Sequence, residues 1–379
     1  MDLKNKLVAF VADVHLANHK RFGGPRLGGV NTRASMVLEA LVAAIEVANA
    51  QGVKHFVVLG DLVDVSNPTP QLLSCLAGIF THYEWTHGAE AMQFHLLMGN
   101  HELVSEQQGD NALDVLRHLD NVSVYEGAAQ CVDLGELELL MVPFQAVARE
   151  ALAPQVVTRP PGKKPRILCV HMGVSDGNTP FFLQNAGDSM TAIALSERAY
   201  ELGCSLVMAG NWHSHAAWVP PHTFGGKPAP TVIQCGALVP TGFDNPGMNY
   251  GYVITVGAGS GDLAIDMTTV PGPRFLSMLW DSFKDVPAGQ IFLRLTAKPS
   301  DVEAARLALK ALREADAVLD GEVLIDAVAV RTQARSAAAA ARHADSTKNA
   351  VAEYVEHMLL PDDVDRVAVL AFVEKCLIA

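Results

Sequence analysis

Five short stretches place Asp, Asn and His where they could hold metal ions. They are Asp13 and His15 in "ADVH", Asp61 and Asp64 in "GDLVD", Asn100 and His101 in "GNHE", His171 in "VHMG", and His213 and His215 in "WHSH". Carboxylate, amide and imidazole donors suit borderline divalent ions such as manganese, iron or zinc, and a set without thiolates disfavours a closed structural zinc site. One ion does not need so many donors. Two ions roughly 3.5 to 4 Å apart, sharing a bridging carboxylate, lower the pKa of a water toward neutrality and make it a nucleophile for in-line attack on phosphorus. The pair His213 and His215 decides little by itself. Residues i and i+2 on extended chain face one side, which fits two ligands or two polar residues in a wet loop.

Each stretch lies at the end of an apolar, strand-like run, and the last four of these runs end at or near a glycine. The runs are "KLVAFVA" (6–12), "HFVVLG" (55–60), "QFHLLMG" (93–99), "RILCVHMG" (166–173) and "SLVMAG" (205–210). Alternation of such runs with helical patterns reads as a layered α/β domain, and in sheets of this kind ligands gather where the strands end. The spacing predicts a helix after residue 32, because Met36, Val37, Ala40, Leu41, Ala44 and Ile45 make one apolar stripe and Gly52 is placed to end it. From residue 231, "TVIQCGALVP", "YGYVITV" and "DLAIDMTTV" read as further strands, expected in a second sheet packed on the first. "PGP" at 271–273 breaks the pattern. Beyond it a strand, a helix capped by Ser300 and another strand form a small α+β unit. The Ala-rich segment 334–346 and two apolar helical stripes around Pro361 close the chain.

Composition excludes several classes. A chain of 379 residues, half of them hydrophobic, is globular and large enough for two or three domains. No apolar run approaches the roughly 20 residues of a membrane span, and the first residues carry no signal-peptide core, so a cytoplasmic protein is expected. The six cysteines are scattered without a CxxC pair and read as buried thiols. A net charge of −13 argues against gripping nucleic acid by an overall positive field. Positive charge is local instead: Lys20, Arg21, Arg26 and Arg33 share one Gly-rich loop, and Arg159, Lys163, Lys164 and Arg166 share another.

The five stretches, in this order and over roughly residues 7–216, resemble the motifs of the calcineurin-like binuclear metallophosphoesterases. The resemblance implies a four-layer α/β/β/α sandwich over residues 1–271, followed by a small α+β capping domain at 272–333. A linker with C-terminal helices would occupy 334–379. It further implies two divalent ions. One would take Asp13, His15 and His215, the other Asn100, His171 and His213, with Asp61 bridging them. His101 would protonate the leaving oxygen or stabilise its charge, and Asp64 would orient His101. Glu102 fits the motif without a direct role. The family's last motif usually reads G-H-x-H, whereas here Asn211 and Trp212 stand between Gly210 and His213. Trp212 could therefore stack on a nucleobase or simply pack.

Three features resemble the SbcD-type recombination nuclease subunits in particular. They are the extended second motif "GDLVDVSNPTP", the strand, loop and return strand "QCGALVPTGFDNPGMNYGYVITV", and the layout beyond residue 271. That resemblance implies a manganese-preferring DNA exonuclease and endonuclease in repair or recombination. Its tail helices would dock on an SMC-like coiled-coil ATPase of the SbcC type, an arrangement that lets an acidic subunit leave most phosphate contacts to its partner. The alternative is a stand-alone phosphodiesterase or phosphatase acting on nucleotides or phosphoproteins, whose tail completes the fold or makes a homodimer.

Overall fold

The computed structural model describes residues 6–87, 91–103, 111–152, 164–176, 179, 187–221, 223–224, 226–243, 250–258, 263–287, 291–326, 365 and 367–368. The Ala-rich segment, most of the tail with its two apolar stripes, and Arg159 and Lys163 of the second basic loop lie outside them.

In chain order the main elements begin with β1 (Lys6–Val11), α1 (Thr32–Ala50), β2 (His55–Leu59), α2 (Pro70–His87), β3 (Gln93–Leu97) and β4 (Val122–Tyr125). There follow β5 (Gln130–Asp133), β6 (Glu138–Val142), β7 (Arg166–His171), α3 (Ala192–Glu201), β8 (Leu206–Gly210) and β9 (Ala216–Trp218). The series continues with β10 (Thr231–Gln234), β11 (Tyr250–Ala258), β12 (Leu263–Pro271), β13 (Arg274–Leu279), β14 (Ile291–Ala297), α4 (Val302–Glu314) and β15 (Asp320–Ile325).

Two six-stranded sheets organise the first part of the chain. One runs β12-β11-β1-β2-β3-β4 and the other β9-β10-β8-β7-β6-β5. Within the first, β1 to β4 are parallel, and in the second β6, β7, β8 and β10 are parallel. Antiparallel strands close the edges. The expected second sheet therefore exists but is composed differently. Of the three runs after residue 231, only β10 joins it, while β11 and β12 extend the first sheet alongside β1. Apolar content alone could not separate these destinations, because it marks a strand without saying which strand it pairs with.

The period-2 rule distributes each strand's residues between three cores. Val8 and Phe10 of β1, Val57 and Leu59 of β2, Ile167 and Cys169 of β7, and Leu206 and Met208 of β8 fill the space between the sheets. Their neighbours Ala9, Val11, Phe56 and Val58 pack under α1 and α2. Leu168, Val170, Val207 and Ala209 pack under α3. The result is the four-layer α/β/β/α arrangement. Helix α1 starts where Asn31 caps it, its side-chain oxygen accepting the Ala34 N–H, and it buries the predicted stripe.

The chain divides into a larger unit (residues 1–277, 286–293 and 313–321) and a smaller one made of the remainder. In the larger unit, Phe22, Met36, Phe243, Phe275 and Phe292 form a separate aromatic cluster. In the smaller, α4 buries Val302, Ala305 and Leu309. Ser300, expected as its cap, lies in a single 3-10 turn, Pro299–Asp301, immediately before the helix. No helix among the described residues is long and apolar enough to cross a membrane. The five described cysteines are free thiols, and Cys169, Cys204 and Cys235 are buried.

Candidate metal centre

The carboxyl ends of β1, β2 and β3 from one sheet, and of β7 and β8 from the other, bring the predicted residues together. Asp13 and His15 follow β1, Asp61 and Asp64 follow β2, and Asn100 and His101 follow β3. His171 ends β7 and His213 follows β8. The chain turns sharply at these points: Asp13, His15, Asp61 and Asn211 all have φ between 50° and 89°, in the left-handed region that side chains rarely adopt. Backbone bonds hold the turns. Asp13 N–H donates to Gly60 O at 3.2 Å, and His15 N–H to Asp61 O at 2.9 Å. Gly60 and Gly99 are required by close approach, because a Cβ on Gly60 would collide with the His171 ring and one on Gly99 with the Asp61 carboxylate.

Donor atoms converge in three overlapping clusters, each with its atoms within 4.8 Å of one another: Asp13, His15 and His213; Asp13, Asp61 and His171; and His15, Asp64 and His101. Asn100 joins the second through its Oδ1, 3.0 Å from His171 Nε2. His215 joins none of them. Its Nδ1 lies 3.3 Å from Cys235 O, and its ring packs against Tyr252 at 4.8 Å between centroids.

Hydrogen bonding to the outer nitrogens turns the inner ones toward a common centre. His171 Nδ1 donates to Leu59 O at 2.7 Å, so its Nε2 faces Asn100 Oδ1 and, at 3.3 Å, Asp61 Oδ2. His15 Nδ1 donates to Asp64 Oδ1 at 2.9 Å, and its Nε2 then meets His213 Nε2 at 2.9 Å. Facing atoms this close need a proton or a metal ion between them, and the set mixes carboxylate, amide and imidazole donors. The donor set therefore fits divalent ions, with the outer partners fixing tautomers as they do in metal sites.

Burial and charge set the protonation. Burial raises the Asp13 carboxyl to about 6, against the pull of His171 and the N–H bonds from Asn211. At Asp61 burial is outweighed by the surrounding histidines, His171 first, and its pKa is held well below the usual carboxylate range. His171 is the converse: burial opposes its charge, but Asp61 beside it raises it to about 10, so a metal bound at its Nε2 would displace a proton. Burial and then the neighbouring His15 push His213 down to about 4, leaving it neutral near pH 7 as a ligand must be.

His101 is 38% exposed at its side chain, which is what a group meeting substrate needs. Its Nδ1 donates to the backbone carbonyl of Asp64 at 2.9 Å, leaving Nε2 to face the centre, 4.0 Å from Asp61 Oδ2. Asp64 thus touches both histidines in different ways. Its carbonyl orients His101, while its carboxylate makes the short bond to His15 and lies 3.5 Å from His101 Nδ1.

Three contributors were not assigned roles from sequence. Glu102 is fully buried, and its carboxylate accepts the N–H groups of Asp61, Val63 and Gly99 at 3.2, 3.1 and 2.8 Å, tying two ligand loops together. Burial, then the charge of Asp61, raises its pKa to about 7. Thr241 Oγ1 lies 3.0 Å from His213 Nδ1, and Asp188 accepts from the Asn211 side chain at 3.0 Å. Neither lies in the five ligand-bearing stretches, so only the fold could reveal these contacts. Of the basic loops, Arg33 is buried, donates to Thr241 O and stacks on Phe275, whereas Lys20, Arg21 and Arg26 are exposed. Lys164 pairs with Asp133, and Arg166 is buried against Glu138.

The family model for calcineurin-like phosphoesterases matches residues 6–235, well over half of the chain. The chain therefore belongs to the calcineurin-like phosphoesterase family, a class of metal-dependent hydrolases built on a dinuclear metal centre. Among solved structures it is similar to one described as a predicted phosphoesterase from Streptococcus pneumoniae, with 12% identity over 70% of this chain and 90% of that one and a TM-score of 0.31. A purple acid phosphatase from yellow lupin (Lupinus luteus) matches at 12% identity over 69% of this chain and 51% of that one, with a TM-score of 0.45. A dimetal phosphatase from Danio rerio matches at 12% identity over 70% and 96%, with a TM-score of 0.41. No curated protein matches the chain by sequence.

Proposed function

We propose that the protein is a manganese-dependent DNA phosphodiesterase of SbcD type, an exonuclease and endonuclease subunit acting in the cytoplasm in DNA repair or recombination. The observation that carries this reading beyond the family is the loop after His15. It leaves the first pair of ligands and exposes Lys20, Arg21 and Arg26, cations suited to the phosphates of a polynucleotide that extends past the scissile bond. The motif extension "VSNPTP" after Asp64 supports the same reading. An SMC-like coiled-coil ATPase of SbcC type, docked on the helices of residues 334–379 beyond a capping domain at 272–333, would supply the remaining phosphate contacts that a chain of net charge −13 lacks.

Asp13, His15 and His213 on one side, and Asp61, Asn100 and His171 on the other, would hold the two ions. When bound, the pair supplies Lewis acidity toward the phosphoryl group and lowers the pKa of a water. The chain's own part is orientation and proton transfer. Asp64 and Leu59 fix the tautomers of His15 and His171, and Glu102 holds the loops that carry Asp61 and Asn100. His101, pinned through Nδ1, presents Nε2 to protonate the leaving oxygen.

A second reading is kept for one observation. A cavity of about 450 Å³ beside His213, lined by Trp212, Trp218, Asp176 and Asn211 among others, has room for a single nucleotide. Trp212 lines it, and its ring lies against Gly173, where any side chain would collide with it. A stand-alone esterase acting on nucleotides would use this cavity and need no partner. Incubation with Mn²⁺ and end-labelled duplex or hairpin DNA separates the two. Cleavage that disappears in His101→Ala supports the nuclease, whereas hydrolysis of nucleotide esters without DNA cleavage, even with the ATPase added, refutes it.

A further inference from the structure

We propose that Asn211 is the amide ligand of the second ion, occupying the place of a histidine, and that His215 holds neither ion. The inference rests on the dinuclear centre of the family and is independent of the DNA reading.

The argument begins with the company His213 keeps. The resemblance to the calcineurin-like family implies that two histidines spaced i, i+2 divide between the ions, the earlier one joining Asn100 and His171 and the later one joining Asp13 and His15. In the structure His213 clusters with Asp13 and His15, its Nε2 2.9 Å from His15 Nε2. It therefore holds the later position. The earlier position falls two residues back, on Asn211, and His215 lies beyond the motif. This register also removes the apparent insertion between Gly210 and the ligands: Gly210-Asn211-Trp212-His213 has the spacing of G-H-x-H with Asn in place of the first His.

The backbone agrees with that register. Gly210 pairs with His171 across the β8–β7 ladder, so Asn211 is the first residue past the strand position beside His171. Its φ of 89° turns the chain there, and its N–H donates to both carboxylate oxygens of Asp13, at 3.0 and 3.1 Å. The side-chain nitrogen donates to Asp188 Oδ2 at 3.0 Å, which fixes the orientation of the amide. Its oxygen makes no hydrogen bond among the described residues, although the side chain is partly buried. His215 is occupied elsewhere, with Nδ1 toward Cys235 O and its ring on Tyr252.

The two ions would then differ in kind. The first has two imidazoles, while the second has His171 alone with two amide oxygens and the Asp61 carboxylate. Oxygen-rich sets suit Mn²⁺ or Mg²⁺, whereas imidazole suits Zn²⁺. Loss of one imidazole should make the second site the weaker of the two and discriminate it against Zn²⁺.

The test is metal binding by the full-length, metal-stripped protein: Mn²⁺ titration followed by electron paramagnetic resonance, and Zn²⁺ titration by calorimetry, with circular dichroism checking each variant's fold. Two Mn²⁺ sites are expected, their affinities separated by about tenfold or more. Asn211→Ala should lose or weaken only the weaker site, and Asn211→Asp should retain it. Asn211→His should tighten Zn²⁺ there by about tenfold. His215→Ala should leave both sites unchanged. Loss of an ion in His215→Ala, or two unaltered sites in Asn211→Ala, would overturn the assignment. Because no substrate is involved, a failed DNA-cleavage assay leaves this test intact.

Discussion

The two halves of the metal centre are built on different plans. Around Asp13, His15 and His213, paired imidazoles meet nitrogen to nitrogen, with their outer nitrogens against Asp64 and Thr241. Around Asp61, Asn100 and His171, a single imidazole faces oxygens, and the loops bearing them are clamped by the buried Glu102. The first half depends on side-chain partners that orient ligands, the second on a carboxylate that orders backbone. Substitutions in the two halves should therefore fail differently, one in metal affinity and the other in folding.

The largest effect is expected where the halves meet. Asp61 contacts His15, His101 and His171, and Asp61→Ala should abolish Mn²⁺-dependent hydrolysis and lower metal stoichiometry in a titration. His101→Ala should reduce kcat by about 10²- to 10⁴-fold, the usual worth of a general acid, while the protein still binds two ions. Retained turnover in that variant would remove His101 from the mechanism.

Glu102→Ala tests the second half. It strands three backbone N–H groups in a fully buried place, at about 1–3 kcal/mol for each donor left unpaired, so a melting temperature lower by many degrees is expected even in chelator. Asp64→Ala tests the first half. The fold should survive, since the Asp64 side chain is 30% exposed, but His15 loses its orienting carboxylate, and Mn²⁺ affinity should fall about 10- to 100-fold. If Asp64→Ala melts early and Glu102→Ala binds metal poorly without melting early, the division between the halves is wrong.

The smallest effect lies outside the centre. His95 is buried between the Tyr125 hydroxyl at 2.8 Å and His55 at 3.1 Å, and burial, then His55, lowers it from 6.5 to about 3. The unfolded chain therefore binds a proton that the folded chain refuses, and stability should decline as pH drops from about 6.5 toward 3. Thermal melts in chelator at pH 7 and pH 5 should show a smaller loss in His95→Gln than in the unsubstituted protein. Equal losses would assign the acid sensitivity elsewhere.

Most of the centre was legible because the polar residue that closes or follows an apolar run sits at a strand end, as Asp13, Asp61, Asn100 and His171 do. Glu102 was in plain view beside His101, yet its work is on backbone N–H groups, which leave no mark in a side-chain pattern. That His213 joins a donor cluster while His215 packs on Tyr252 was not legible either, because spacing i, i+2 does not say where the chain turns after Gly210. Strands β11 and β12 read correctly as strands, but their sheet was set by the pairing of β11 with β1, a contact more than 240 residues distant in sequence, and β12 follows as the hairpin partner of β11.

The central claim is that these strand ends form a two-metal hydrolase whose substrate is DNA. It is tested most directly by mixing the purified full-length protein, Mn²⁺ and an end-labelled duplex, beside His101→Ala shown to bind the same number of ions. The account predicts cleavage products from the first and none from the second. Intact DNA in both, with nucleotide monoesters or diesters hydrolysed, would contradict it.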